Sequence, residues 1–225
     1  VRSLEPLLDE TRGPVVAIDM PIGLPERFNP GGRDCDRLAR ALLNAGGSGR
    51  GCTIFTPPTR LALNAAHYRQ ACAANAKGAA PGARAGLSKQ SFNLFPKIRE
   101  LDALMTPAHQ ARVHETHPEL VFMALAGGPL TQPKKSAQGR ARRIELLAGA
   151  GIADAADLIA SARAFAHGAA LPHGHAAVRV QPDDVLDALA CALAARRISL
   201  GLAQRLPEPL KAQRDARGLD MAVWF

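Results

Sequence analysis

The run Pro182-Asp183-Asp184-Val185-Leu186-Asp187-Ala188-Leu189 sets carboxylates beside the apolar stripe of a helix. Asp184 and Asp187 stand at i and i+3, so both can face one point. Val185, Leu186, Leu189, Ala190, Leu193 and Ala194 turn the helix toward a core, and two carboxylates at its margin repel each other unless water or a cation lies between them. The pair is therefore a candidate divalent-metal site. The same residues also read as capping, because acids just after Pro182 favour the positive end of a helix.

Two further acids stand at strand ends. Pro14-Val15-Val16-Ala17-Ile18-Asp19 is an apolar run closed by an acid, the pattern of a buried parallel strand with its chemistry at the C-terminal edge. The prolines and glycine of Met20-Pro21-Ile22-Gly23-Leu24-Pro25 stop that strand and leave a fixed loop beside Asp19, which reads equally as a turn residue. Ala111 to Thr116 reads as a second strand carrying Glu115 near its end, and His117-Pro118-Glu119 opens a helix with an early proline. Asp19, Glu115, Asp184 and Asp187 thus come from separate elements and could converge. Magnesium prefers such hard oxygen ligands, and ions held this way orient water and stabilise the leaving oxygen of a phosphodiester. An anionic substrate would need cations nearby, and Lys89, Lys97, Arg99, Lys134, Lys135, Arg140, Arg142 and Arg143 supply them.

The elements that must position these groups follow from periodicity and breakers. We expect helices over 33–45, Arg60–Lys77, Ser88–Met105 with a kink at Pro96, Ala137–Ala148 and Ala153–His167. Arg50–Pro58 reads as irregular and 127–136 as loop. The stretch 77–87 is low in complexity and is expected to be a mobile flap. His173-Gly174-His175 has a spacing that could hold a metal but reads more simply as a solvated turn. Gly218–Phe225 is expected to be a strand or extended arm. Helices interleaved with short strands of parallel type define an α/β class, without internal repeats.

Composition narrows the setting. The 225 residues can bury a sizeable core and read as one domain. Apolar residues make up 47%, yet no apolar run approaches the roughly 20 residues that span a bilayer, so no membrane partner is expected. Without a visible secretory signal, the default location is cytoplasmic. Cys35, Cys52, Cys72 and Cys191 are scattered, which argues for reduced cysteines over a zinc site or disulfide framework. A net charge of +8 makes polyanions such as nucleic acid candidate partners.

Nine ordered motifs carry a resemblance. They are Ile18-Asp19-Met20-Pro21-Ile22-Gly23-Leu24-Pro25, Arg33-x-Cys35-Asp36-x-x-Ala39-Arg40, Phe55-x-Pro57-Pro58, Gly86-Leu87-Ser88-Lys89-Gln90, Lys97-Ile98-x-Glu100-x-Asp102, Glu115-x-His117-Pro118-Glu119, Lys134-Lys135-x-x-x-Gly139-x-x-x-Arg143, Asp183-Asp184-x-x-Asp187-Ala188 and Gly218-Leu219-x-Met221. Together they resemble the domain-of-unknown-function 429 family of predicted nucleases with an RNase H-like fold, from Val15 nearly to the end. The resemblance implies that Asp19 ends the strand next to the first one. It also implies that the Asp184 and Asp187 helix matches the last acidic helix of Holliday-junction resolvases, and that Glu115 and Glu119 are the acids after the following strand. Family members open with a strand bearing Gly-x-Asp-Gly, which has no counterpart before Val15; 1–12 resembles instead the helix that precedes the Asp19 strand. The chain is thus expected to be a single RNase H-like domain over 1–225 with helical insertions, N-terminally incomplete relative to the family and lacking the first strands of its sheet. A homo-oligomer could then cover the open edge.

The activity so implied is a metal-dependent nuclease or phosphodiesterase. Asp19, Glu115, Asp184 and Asp187 would be catalytic, with Asp19, Asp184 and Asp187 holding Mg2+ or Mn2+. Lys89, Gln90, Lys97, Lys134, Lys135 and Arg143 would bind substrate. The alternative is a non-catalytic nucleic-acid-binding or regulatory module of the same fold. A phosphotransferase of the sugar kinase and actin group ranks last, since no Gly-rich phosphate loop is present.

Overall fold

The computed structural model describes residues 4–5, 13–168, 180–211 and 213–225. The His173-Gly174-His175 turn and most of the 1–12 segment lie outside them. Strand β1 (Val16–Ile18) pairs in parallel with β2 (Val113–Glu115), with Val16 opposite Val113 and Ile18 opposite Glu115. Just past that pair, Thr116 bridges Trp224, and β6 (Val223–Trp224) pairs antiparallel with β3 (Arg205–Leu206). A second antiparallel pair joins β4 (Gln213–Arg214) to β5 (Asp220–Met221). The expected C-terminal arm is therefore two short strands in different pairs. The first two strands are shorter than expected: Pro14 has no N–H to give a ladder, and Ala111 belongs to a tight turn over His109–Ala111.

Nine helices occur among the described residues: α1 (Asp34–Leu43), α2 (Arg60–Leu63), α3 (Tyr68–Ala76), α4 (Lys89–Asn93), α5 (Phe95–Leu104), α6 (Pro118–Ala126), α7 (Ala137–Gly149), α8 (Ala155–Gly168) and α9 (Pro182–Ser199). The protein is a mixed α/β chain, about half helical with only small sheets. The helix expected over Arg60–Lys77 is two, because the chain turns at Asn64 after burying Ala62 and Leu63 and restarts at Tyr68. The Ser88–Met105 helix is also two. Pro96 does not kink it but sits in the first turn of α5, where its missing N–H costs nothing, and the break falls at Leu94.

Three apolar clusters hold these pieces. The largest packs α1, α6, α7, α8, α9 and β6 around Phe122, Leu147, Leu186 and Phe225. A second joins α2, α3, α4 and α5 around Leu63, Phe95 and Ile98. The third links Ile22, Leu101, Met105, Val113 and Leu219 beneath β1 and β2. Helix α9 packs on both β1 and α6, which brings its acidic first turns toward the end of β1. Segment 77–87 forms no helix or strand, but it is tied at its end: Asn75 donates to the Ala85 carbonyl at 2.8 Å, Tyr68 donates to the Leu87 carbonyl at 2.6 Å, and Ala85 and Leu87 are buried. The four cysteines are free. No described helix is long and apolar enough to cross a membrane.

Candidate functional site

Asp19 follows β1 at the edge where β2 ends in Glu115, so the ladder fixes both acids. They meet different neighbours. Glu115 turns to Arg33, accepting from its two terminal nitrogens at 2.5 and 2.8 Å and from the Ile22 amide at 2.7 Å. Arg33 also donates to Asp36 at 2.7 and 3.1 Å and to the carbonyls of Ile22 and Gly23 at 3.0 and 3.2 Å. Only 2% of Arg33 is exposed. Burial opposes its charge, but Asp36, Cys35 and Glu115 hold its pKa well above the usual range. Burial pushes the Glu115 pKa up, and Arg33 and the Ile22 amide pull it back. Expected as a catalytic acid, Glu115 is instead the buried counter-ion that pins the Pro21–Leu24 loop between β2 and α1.

Asp19 faces Asp187. Asp19 is solvent-exposed at a pocket mouth, with protein crowding one side of its carboxyl. That crowding, then Asp187 and, more weakly, Glu115, push its pKa up to about 7 against the pull of Lys134. Asp187 is half-buried and accepts from Lys134 Nζ at 2.6 Å through Oδ2, while its buried Oδ1 has no partner. Burial, with Glu119 and Asp183 behind it, raises the Asp187 pKa although Lys134 opposes this. Burial also works against the Lys134 charge, but Asp187 wins and its pKa rises. Cys191, one helical turn after Asp187, is pushed up to about 12 by burial and then by Asp19 and Asp187, so its thiol stays protonated.

Asp184 does not share the hydrogen bonds of this group. It is exposed, and its Oδ2 accepts the Gln181 amide at 2.9 Å, the capping role open to it from sequence. Arg143, expected to bind substrate, is fully buried. It clamps Glu119 at 2.7 and 2.8 Å and caps the Gly139 carbonyl at 3.0 Å, so it cannot meet a ligand from solvent. Arg50 reaches the same Glu119 at 3.1 Å. Lys89, Gln90 and Lys97 are exposed on α4 and α5, Lys97 pairing with Glu100 at 3.0 Å; Lys89 and Lys97 are not among the charges acting most on Asp19 or Asp187. Lys135 is exposed beside Lys134. Of the expected cations, Lys134 alone is shown in contact with the acidic pair.

Sequence reasoning missed His117. It ends the strand-to-helix turn before Pro118 and lines the same pocket as Asp19, together with Met20, Cys35, Phe55 and Thr116. The pocket encloses about 30 Å³, room for a water molecule. Burial lowers the His117 pKa to about 4, so the ring is neutral at pH 7; Nε2 lies 3.4 Å from the Thr53 carbonyl, and the buried Nδ1 has no partner. The available signal was a histidine directly before a helix-starting proline, one residue past a strand-end acid and its threonine.

Among the described residues, no three His, Cys, Asp or Glu side chains gather closely enough to form a metal cage. Asp19 and Asp187, with the orphaned Oδ1, are the two carboxyls that could hold one Mg2+ or Mn2+ keeping most of its waters, provided Lys134 swings off Asp187. A two-ion centre does not fit, since Glu115 is taken by Arg33 and Asp184 by its cap.

Neither a curated protein nor a solved structure matched the chain. The family model described as "Protein of unknown function (DUF429)" matches residues 1–212, nearly the whole length, and the chain belongs to that family.

Proposed function

We propose that the protein is a divalent-metal-dependent phosphodiesterase acting on nucleic acid, with Asp19 and Asp187 as metal ligands and an RNase H-like arrangement of strand-end acid and acidic helix. The observation that carries this reading is a strand-end carboxyl, Asp19, within electrostatic reach of a helix carboxylate, Asp187, that one ammonium contacts at 2.6 Å. Burial and repulsion keep Asp19 near half-protonated at pH 7, a state that a cation would relieve. A bound ion would supply Lewis-acid stabilisation of charge on phosphate oxygens. Lys134, released from Asp187, is then free to pair with the phosphate, and the neutral His117 ring can orient a water in the pocket. Fixed Glu115 and Arg33 hold the loop so that Asp19 stays aimed there.

The test is cleavage of labelled single-stranded and duplex DNA and RNA with magnesium, manganese or EDTA, alongside Mn2+ binding followed by electron paramagnetic resonance. We expect metal-dependent cleavage that Asp19→Asn and Asp187→Asn abolish, and a matching loss of Mn2+ affinity. Wild-type protein that neither binds Mn2+ nor cleaves would sink the proposal. One observation favours the second reading, a non-catalytic nucleic-acid-binding module: Asp187 and Glu115 already have cationic partners. Salt-sensitive binding of nucleic acid without Mn2+ affinity would select it.

A further inference from the structure

A larger groove lies on the other side of Arg33. One wall is the loop from Pro25 to Asn29, and the other is β4 with its turn through Asp215 and Ala216; Met221 lies between them. It encloses about 570 Å³, within the range for small-ligand sites. Nothing in the hydrolytic reading uses it, and the two cavities share only Arg33.

The walls are held firmly. The Asn29 carbonyl accepts the Gly32 amide at 2.8 Å, closing a turn in which Gly31 and Gly32 have φ of 80° and 84°, accessible to glycine at no cost. Opposite, the paired strands β4 and β5 fix Arg214. Within this frame the acids are neutralised, one cation is unpaired and another keeps part of its donor set open. Asp215 is buried and receives the amides of Leu24, Arg217 and Leu219 as well as Arg60. Glu26 also pairs with Arg60, at 3.1 Å. Arg33 is consumed by Asp36 and Glu115. Arg214 gives only its Nε to Asp220, at 2.8 Å, so its two terminal nitrogens remain open to solvent. Arg27 is exposed and pairs with no described residue.

The donors left open in the groove therefore belong to two guanidinium groups, whose flat forks match phosphate oxygens in pairs. Beside them are apolar and amide surfaces. Phe28 is half-buried in a groove also lined by Pro25 and the buried Met221, and the Oε1 of Gln213 accepts the Asp34 amide at 3.2 Å, which leaves its NH2 free. Asn29 adds a side-chain amide with no partner among the described residues. Cations for phosphate, an aromatic face for stacking and free amides for base edges together select one ligand class.

We propose that this groove binds a nucleotide unit, with its phosphate on Arg27 and Arg214 and its base on Phe28. The unit is either a free mononucleotide or one residue of a single strand. The inference rests on the groove's own residues and holds whether or not the acidic pair cleaves anything.

Calorimetric titration of the full chain with adenosine 5′-monophosphate, adenosine, inorganic phosphate and a short single-stranded oligonucleotide tests it. We expect the monophosphate or the oligonucleotide to bind more tightly than adenosine or phosphate. Arg27→Ala and Arg214→Ala should each weaken binding about tenfold, the loss expected for one charge-assisted contact. Phe28→Ala should erase the advantage over inorganic phosphate. Melting temperatures of the two arginine variants should match wild type, since both side chains are largely exposed. Tighter binding of the oligonucleotide identifies a strand as the source, and tighter binding of the monophosphate a free nucleotide. Failure of both to bind, or affinity unchanged in the Arg27→Ala/Arg214→Ala double variant, overturns the proposal. Asp187→Asn separates the two readings. Arginine-dependent binding with no cleavage by any form refutes the hydrolytic reading alone, and cleavage without groove binding refutes this one alone.

Discussion

Replacing Asp187 by Asn keeps its shape and removes its charge, so it isolates what Asp187 does to Asp19. The Asp19 pKa rises from 3.8 to about 7, mainly through burial and next through Asp187. A carboxylate close by moves a neighbour by about 1–3 pH units, and the solvent-open side of Asp19 favours the low end. We expect the Asp19 midpoint in Asp187→Asn to fall to about 6, read from the carboxyl carbon of labelled protein by NMR in EDTA. Added magnesium should lower the wild-type midpoint and affect the variant much less. The change also alters stability. A carboxyl whose folded pKa is raised keeps its proton when the unfolded chain has lost it, so the folded state loses stability as pH climbs from about 4 to about 7. At about 1.4 kcal/mol per pH unit a fully shielded group would lose about 4 kcal/mol, and screening at the pocket mouth reduces this to about 1–2 kcal/mol. His117 acts in the opposite sense. Its folded pKa of about 4 lies below the ordinary 6.5, so it adds stability as pH rises through that window. The quantity to compare is therefore wild type minus variant in urea unfolding at pH 5 and pH 8, where His117 cancels and the raised pKa of Asp187 itself adds a loss of the same sign. An Asp19 midpoint that stays near 7 in Asp187→Asn, or climbs, would refute the coupling on which the candidate site rests.

Three further outcomes test the framework around the site. Arg143→Met should cost about 3 kcal/mol in urea unfolding, the low end for an opened buried pair because Arg50 still reaches Glu119, and a loss under 1 kcal/mol would contradict it. Gly139→Ala would put a Cβ 2.0 Å from the Pro133 carbonyl oxygen, so the start of α7 must shift; we expect a loss of about 3 kcal/mol, and a neutral result would deny that close approach. Asn75→Ala removes two 2.8 Å hydrogen bonds and strands the Thr59 amide and the Ala85 carbonyl; we expect a loss of about 2 kcal/mol and faster tryptic cleavage at Arg84, with unchanged cleavage counting against the tether.

What the sequence shows and what it hides divide along a physical line. Hydrophobic period and proline placement give β1, β2, α6, α7 and α9 to within a few residues, because each depends on local chain preference. The same reasoning points to Asp19 and Asp187, one at a strand end and one on a helix face. It misplaces Asp184 because an i, i+3 spacing only permits a shared face. At about 100° per residue Asp184 lies some 60° to one side of Asp187, and the free amides of the first turn draw it into capping. Cys191 lies only about 40° to the other side, and it is Cys191 that shares the Asp19 environment.

The partners of charges are decided by a different quantity. Arg33, Arg143 and Lys134 look alike in a sequence, yet two are buried and one is not. A cation taken out of water must find a carboxylate at once, and the carboxylate it finds is then lost to chemistry. Arg33 takes Glu115 and Arg143 takes Glu119, both with two short hydrogen bonds and nearly full burial. Lys134 keeps 34% of its side chain in solvent and makes one contact to Asp187, so that pair is the one able to exchange partners. Of the acids with an ion-pair partner near the strand ends, only Asp187 combines that half-open lysine, an unpartnered oxygen and a neighbour held near its midpoint at pH 7. Reactivity is therefore concentrated where burial is incomplete, and a burial pattern that arises only from the packing of α9 on β1 and α6 cannot be read from residue types.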